Sequence, residues 1–266
     1  MNNESDEQIR LSRDGAVATL WLNRPAKRNA MTYAMWARLH ELSQQLASDR
    51  EVRVVVLRGT GDHFCAGADI IEINVARSAG ELSFGQVNVA AETALAALPK
   101  PTVAFVTGDC IGGGCSLAID CDFRIATADA RFGITPAKLG IVYPSSALER
   151  TMHLLGPAVT KRLLFTGELI GAEAAHRVGL VDEVGDAADA EERLATLTGV
   201  LAARSLLTQA ATKSMVASIA AAGHVSADLQ AHWAEIAATS TDLAEGVAAF
   251  AEKRRPRFTW SGPNGT

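Results

Sequence analysis

The stretch TVAFVTGDCIGGGCSLA, residues 102–118, decides how the chain folds. Its first six residues are a β-branched, apolar run of strand length. Gly108-Asp109 then breaks the run, and three consecutive glycines, Gly112, Gly113 and Gly114, open a segment of helical character. Glycine at such a turn lets the backbone approach a ligand closely and leaves N–H groups at the helix start free to point at it. A strand that passes through a glycine loop into a helix belongs to an alternating α/β chain, not to a sandwich.

The same arrangement occurs upstream, where RVVVL at 53–57 leads into HFCAGADI at 63–70. Further strands are expected over 16–22, 123–126 and 180–184, separated by helices of 10–18 residues in ββα or βαβ units. Thr32 is placed to cap a first helix in which Met35, Leu39, Leu42 and Leu46 recur at helical spacing. A second helix is expected from Ser83 to Leu98, stopped by Pro99-Lys-Pro101. No proline lies between Pro157 and Pro256, and this alanine-rich part reads as helices over 189–204, 205–222, 227–238 and 242–254. Their small faces pack closely, either on one another as a cap over the core or on another subunit. Two regions are expected: a core over 1–200 and a helical region over 201–266.

Composition narrows the function. With 48% hydrophobic and 21% charged residues, the 266-residue chain is too apolar for disorder and long enough for a large core. A net charge of −5 argues against partnership with nucleic acid or an anionic membrane. The polar, acidic start is unlike a signal peptide, and no 18-residue apolar run is present. The cysteines Cys65, Cys110, Cys115 and Cys121 form no CxxC pair and no zinc spacing, so reduced, buried thiols, a cytoplasmic location and no bound metal are expected.

The glycine loops carry the chemistry. They contain neither the GxGxxG dinucleotide fingerprint nor a P-loop. Gly114-Cys-Ser-Leu-Ala118 approaches the nucleophile elbow GxSxG, but its last position is Ala118 and no histidine is recognisable as a partner for Ser116. Two such loops side by side can offer one N–H each to a single oxygen, which is the geometry of an oxyanion hole.

Five blocks together carry a family likeness: LNRPAKRNAM at 22–31, RVVVLRGTGDHFCAGADI at 53–70, KPTVAFVTGDCIGGGCSLAIDCDFRIATADARFG at 100–133, LLFTGELIGAEAAHRVGLVDEV at 163–184 and AFAEKRRPRF at 249–258. Their order and spacing resemble the crotonase superfamily, the enoyl-CoA hydratases and isomerases. The resemblance implies an α/β fold, a crotonase-type spiral of ββα units with a C-terminal helical trimerisation region, assembled as a homotrimer or homohexamer. It implies an acyl-CoA thioester as substrate, coenzyme A entering as part of that substrate, and no separate cofactor. Carried over residue by residue, it places the oxyanion-hole amides on Ala66 and Gly113. It places Ala66, Gly67, Ala68 and Asp69 along the bound thioester, Ala26, Lys27 and Arg28 along the CoA chain, and Lys253 at the nucleotide phosphate, here or in a neighbouring subunit.

Two positions depart from that family. The paired glutamates of the hydratases correspond here to Ser116 and Pro136, a poor base and a side chain with no acid–base function. Ordinary hydration is therefore not expected. The run 132–143, FGITPAKLGIVY, resembles the methylmalonyl-CoA decarboxylase branch, with Tyr143 in register, although that branch has a histidine where this chain has Ala68. Decarboxylation needs an oxyanion hole and a group that orients a carboxylate, but no strong base. A non-catalytic acyl-CoA binding protein is the remaining alternative. Asp69, Glu72, Asp120, Asp122 and Glu149 are the carboxylates considered as replacement bases.

Overall fold

A computed structural model of the chain describes residues 7–73, 75 and 81–262. The first six residues and the last four, which the two expected regions include, lie outside that description. The chain begins with an antiparallel pair, β1 (Ile9–Asp14) and β2 (Val17–Leu22). It continues through α1 (Tyr33–Ser48) to β3 (Val54–Gly59), and through α2 (Ile70–Ile73) and α3 (Phe84–Ala96) to β4 (Thr102–Val106). A short β5 (Asp109–Ile111) leads into α4 (Gly113–Asp120) and then β6 (Phe123–Thr127). After β7 (Arg131–Gly133) come α5 (Ser145–Thr166), β8 (Ile170–Gly171), α6 (Ala172–Arg177) and β9 (Glu183–Gly185). Four helices finish the chain: α7 (Ala187–Ala203), α8 (Leu206–Ala222), α9 (Ala227–Thr239) and α10 (Asp242–Ala251).

The strands form two sheets. The larger has the order β1-β2-β3-β4-β6-β9 and is parallel except for its first pair. The smaller has the order β5-β7-β8. Because side chains alternate across a strand, a run buried on both faces reads as continuously apolar. Val54 and Val56 of β3 join Val103, Phe105 and Ile125 under Ala190 and Leu194 of α7. Val55 and Leu57 point the other way, into the main core with Trp36, Leu39, Ala104 and Val106. Burying this double-sided layer is the main drive for the fold, at about 25 cal/mol per Å² of apolar surface.

Helix ends follow their expected signals. The Thr32 side chain accepts from the Met35 N–H, and Ser83 forms a reciprocal capping box with Gln86. Two expectations need correction, and one helical stretch has no counterpart among them. The strand expected over 180–184 begins only at Glu183, because Leu180 and Val181 are buried in the turn that closes α6, with the Leu180 N–H donating to the Ala175 carbonyl at 2.8 Å. The last helix ends at Ala251, not at 254, since Lys253 has φ of 53°. The helical stretch α5 was not foreseen; it joins two helices across Gly156 (φ 71°) and Pro157. Among the described residues no helix is long and apolar enough to cross a membrane.

Candidate active site

The two glycine loops meet. The segment 63–69 pairs with the β4–β5 passage: Phe64 N–H donates to Thr107 at 2.7 Å, Cys65 N–H to Asp109 at 2.9 Å, and Ile111 N–H back to Cys65 at 2.9 Å. Glycine is required where the loops touch. A Cβ on Gly114 would lie 2.4 Å from the Cys65 carbonyl oxygen. Gly67 has φ of 102°, and a Cβ there would lie 2.8 Å from the Ile111 carbonyl oxygen and 3.4 Å from the Gly113 nitrogen.

This contact fixes which amides are free, and it corrects one assignment. The Ala66 N–H donates to the Arg28 carbonyl at 2.9 Å, so it has no donor to offer a ligand. The next amide in line is Ala68. Its nitrogen lies 3.6 Å from the Cβ position of Gly113, and neither the Ala68 nor the Gly113 N–H has an acceptor among the described residues. Gly113 is the first residue of α4, where N–H groups lack intrahelical partners and the helix dipole favours negative charge.

Both amides border one cavity of about 270 Å³. Trp36, Ile70, Ile73 and Phe84 give it an apolar wall; Leu139, Ile141 and Val142 close another side. Ala66, Gly67, Ser116, Pro136 and Tyr143 line it as well, so most residues named from the sequence are brought together. The Ser116 hydroxyl lies 2.6 Å from the Tyr143 hydroxyl, and no histidine lines the cavity among the described residues. Burial pushes the Tyr143 phenol well above its ordinary value, so it acts as a neutral hydrogen-bonding group rather than a base. Asp69 does not line the cavity: it pairs with Arg24 at 2.6 Å, and Ile71 N–H donates to it at 3.1 Å at the start of α2. That pairing holds its carboxyl below the usual carboxylate range.

Residues 24–31 run beside this loop. Met31 N–H donates to Gly67 and Asp69 N–H donates to Met31, each at 2.8 Å. The buried Asn29 side chain donates to the Thr60 and His63 carbonyls and accepts from Arg24 N–H. Ala26, Lys27 and Arg28 are thereby held exposed at one edge of the loop pair. Lys253 lies beyond α10 and is not among the residues that line the cavity. A larger space of about 820 Å³ lies among α8, α9 and α10, lined by Leu207, Trp233, Val247 and Phe250, away from the amide pair.

Residues 12–261 match the family model described as enoyl-CoA hydratase/isomerase. The chain belongs to the enoyl-CoA hydratase/isomerase family. It is similar to the crotonyl-CoA hydratase of Syntrophomonas wolfei, 31% identical over 258 residues, covering 95% of this chain and 98% of that protein. A crystal structure of an enoyl-CoA hydratase/isomerase family member is 38% identical, with a TM-score of 0.88 over 96% of this chain and 99% of that one. A family protein from Hyphomonas neptunium gives a TM-score of 0.90 at 33% identity, covering 97% of this chain and 100% of its own.

In this member of the enoyl-CoA hydratase/isomerase family the five carboxylates considered as replacement bases are all engaged or remote. Asp69 is paired as described, and Glu72 accepts from the Tyr33 N–H at 2.8 Å. Asp122 holds the Thr102 N–H and hydroxyl and pairs with Lys213 at 2.9 Å. Glu149 is exposed on α5, and Asp120 is buried against Arg150 at 2.5 Å. None of them lines the cavity. Sequence reasoning missed Glu92, which does. Its helix α3 buries Phe84, Val87, Ala91 and Leu95, and Glu92 falls on that same stripe. A glutamate at an apolar-face position is the signal that could have found it. Among the described residues no group of three or more His, Cys, Asp or Glu is placed to hold a metal.

Proposed function

We propose that this chain binds an acyl-CoA thioester in the cavity and stabilises the enolate of its carbonyl at the Ala68 and Gly113 amides. The observation that carries this reading is the pair of N–H groups, unpartnered among the described residues, that face one apolar cavity, one of them at a helix N-terminus. A thioester carbonyl gains negative charge as the enolate forms, and fixed donors in a dry site favour that state over the ground state. Ala26, Lys27 and Arg28 supply the edge along which the CoA chain lies, and Lys253 reaches the nucleotide phosphate from a neighbouring subunit of a trimer or hexamer. Coenzyme A is part of the substrate, and the reaction needs no other cofactor.

Incubating the pure protein with enoyl-, 3-hydroxyacyl-, malonyl- and methylmalonyl-CoA, with products read by mass spectrometry, tests the reading. Hydration of a 2-enoyl-CoA is expected to be at least 10³-fold below that of a competent hydratase, since a positioned acid or base contributes about 10²–10⁴-fold and Ser116 and Pro136 replace both. A decarboxylase-like reading is favoured by the Ser116–Tyr143 hydroxyl pair, which can orient a carboxylate without a base. Conversion of a malonyl thioester that is slowed by Tyr143→Phe supports it. Saturable binding without turnover of any thioester would leave a binding protein.

A further inference from the structure

The amide pair stabilises an enolate but cannot form one from an ordinary acyl thioester, which must lose a proton from its α-carbon. Ser116 and Pro136 are unfit to accept that proton. Glu92 enters the same cavity from a different helix. It is 1% exposed, and its Oε1 accepts from Asn88 Nδ2 at 3.1 Å on its own helix. From α5, Arg150 Nη2 lies 3.4 Å from Oε2. From α4, the Ser116 hydroxyl faces the carboxyl and also meets Tyr143 at 2.6 Å. Tyr143, Ser116 and Glu92 therefore stand together on one side of the cavity, with the Tyr143–Ser116 hydrogen bond beside the carboxyl.

A plain structural ion pair explains this arrangement poorly. Arg150 lies between two buried carboxyls, Glu92 and Asp120, the latter at 2.5 Å. One guanidinium cannot hold both ionised in a buried site, so the trio keeps a proton that can be exchanged. The charged groups around it are Arg150 on α5, Asp120 on α4 and Lys213 on α8, which acts on Asp120. His40 of α1 also packs on α3, but its ring meets the Ala90 carbonyl.

Resting on the acyl-CoA reading above, we infer that Glu92 is the acid/base residue of this site. The Cα–H bond of the bound thioester breaks, and its electron pair becomes the C1–C2 double bond. The carbonyl π electrons move onto the oxygen held by Ala68 and Gly113, and the proton ends on Glu92. Return of that proton, or of one exchanged with solvent, to the same carbon restores the thioester. Burial pushes the Glu92 carboxyl up to about 7, the range in which a group gives and takes protons at neutral pH.

Butyryl-CoA in heavy water is the probe, with α-deuteration followed by mass spectrometry and binding followed by calorimetry. The protein is expected to catalyse exchange with a rate that rises through an apparent pKa near 7. Glu92→Gln is expected to lower the rate by about 10²–10⁴-fold and to leave butyryl-CoA binding within a few-fold. Glu92→Asp restores part of the exchange. Exchange at the wild-type rate in Glu92→Gln overturns the assignment, as does butyryl-CoA that binds the wild-type protein and never exchanges. A rate that is flat from pH 5.5 to 8.5 overturns it without any variant, should Glu92→Gln fail to fold. Absence of butyryl-CoA binding to the wild-type protein removes the acyl-CoA reading itself, and the role of Glu92 with it.

Discussion

The Ala66 amide donates to the Arg28 carbonyl, and in the proposed site that bond leaves Ala68, not Ala66, as the oxygen donor. The 24–31 segment and the 63–69 loop run parallel, so alternate backbone groups of the loop are used up in pairing. Met31 receives the Gly67 carbonyl as its acceptor and itself accepts from Asp69, which leaves the Ala68 N–H turned to the opposite side, toward Gly113. Gly67, at φ of 102°, provides the bend between the two alanines.

Replacing Gly113 by proline tests the amide at the start of α4. Proline suits the first helical position, where its missing N–H breaks no intrahelical bond, so the helix should persist. Its ring must still fit near Trp36, whose Cζ2 lies 3.2 Å from a Cβ at this site. Turnover of any true substrate should fall by about 10²-fold or more while CoA affinity changes far less. Steady-state kinetics beside calorimetric binding of CoA check both halves. Activity within a few-fold of wild type would make Gly113 only a turn residue.

Gly114→Ala should destabilise the protein rather than the reaction alone. The new methyl group would meet the Cys65 carbonyl oxygen at 2.4 Å and the Cys65 Cβ at 2.8 Å, and backbone on both sides must shift to admit it. Overpacking of this kind costs about 1–3 kcal/mol, read as a lower urea midpoint at unchanged slope. A midpoint equal to wild type would mean that the two loops are not packed as closely as these contacts require.

How far the sequence revealed this architecture depends on burial. Strands β3, β4 and β6 were legible because their apolar runs are covered on both faces, and β2 because its buried side chains alternate with half-buried ones. The strands of the small sheet were not, since β5, β7 and β8 have only two or three residues each and too short a pattern for periodicity to act on. β1, with Arg10, Ser12 and Arg13 in an edge strand, hides for the opposite reason: most of it faces solvent. In the site, glycine spacing marked the two loops, but Ala66 and Ala68 are identical in type. Only the backbone pairing distinguishes them. Glu92 lay outside the family blocks, in an alanine-rich helix where one acidic residue looks like a solvated one.

The buried carboxyl makes stability depend on pH in a definite direction. Burial raises Glu92 from 4.5 to about 7, so its proton is held more tightly in the folded chain than in the unfolded one. Its contribution is complete below about pH 4.5 and is lost as pH rises through about 7, a swing of up to about 3 kcal/mol. Glu92→Gln removes this titration and also relieves Asp120, whose carboxyl is raised partly by the Glu92 charge. Relative to wild type, the variant should therefore gain stability between pH 5 and pH 8. Urea unfolding of both proteins at the two pH values measures it; a stability difference that does not change with pH would show that Glu92 ionises as an ordinary glutamate.

The last helix bears on assembly. Leu243, Val247 and Phe250 of α10 recur at i, i+4 and i+7, which places them on one face, and they are 78%, 62% and 88% exposed in the single chain. Val216 and Ile219 of α8 are exposed as well, at 58% and 49%, so apolar side chains concentrate in this helical region. A folded monomer rarely leaves so much apolar surface in water, and burying one such side chain is worth about 1.5–3 kcal/mol. Together with the family resemblance, this face is the expected contact in a trimer or a pair of trimers. Phe250→Asp puts a charge on the most exposed position of the stripe without touching the core, so the fold should remain and the assembly should weaken. Light scattering at micromolar concentration is expected to give a trimer or hexamer for wild type and smaller species for Phe250→Asp. A wild-type monomer would remove the proposed assembly, and with it a phosphate contact from a neighbouring Lys253.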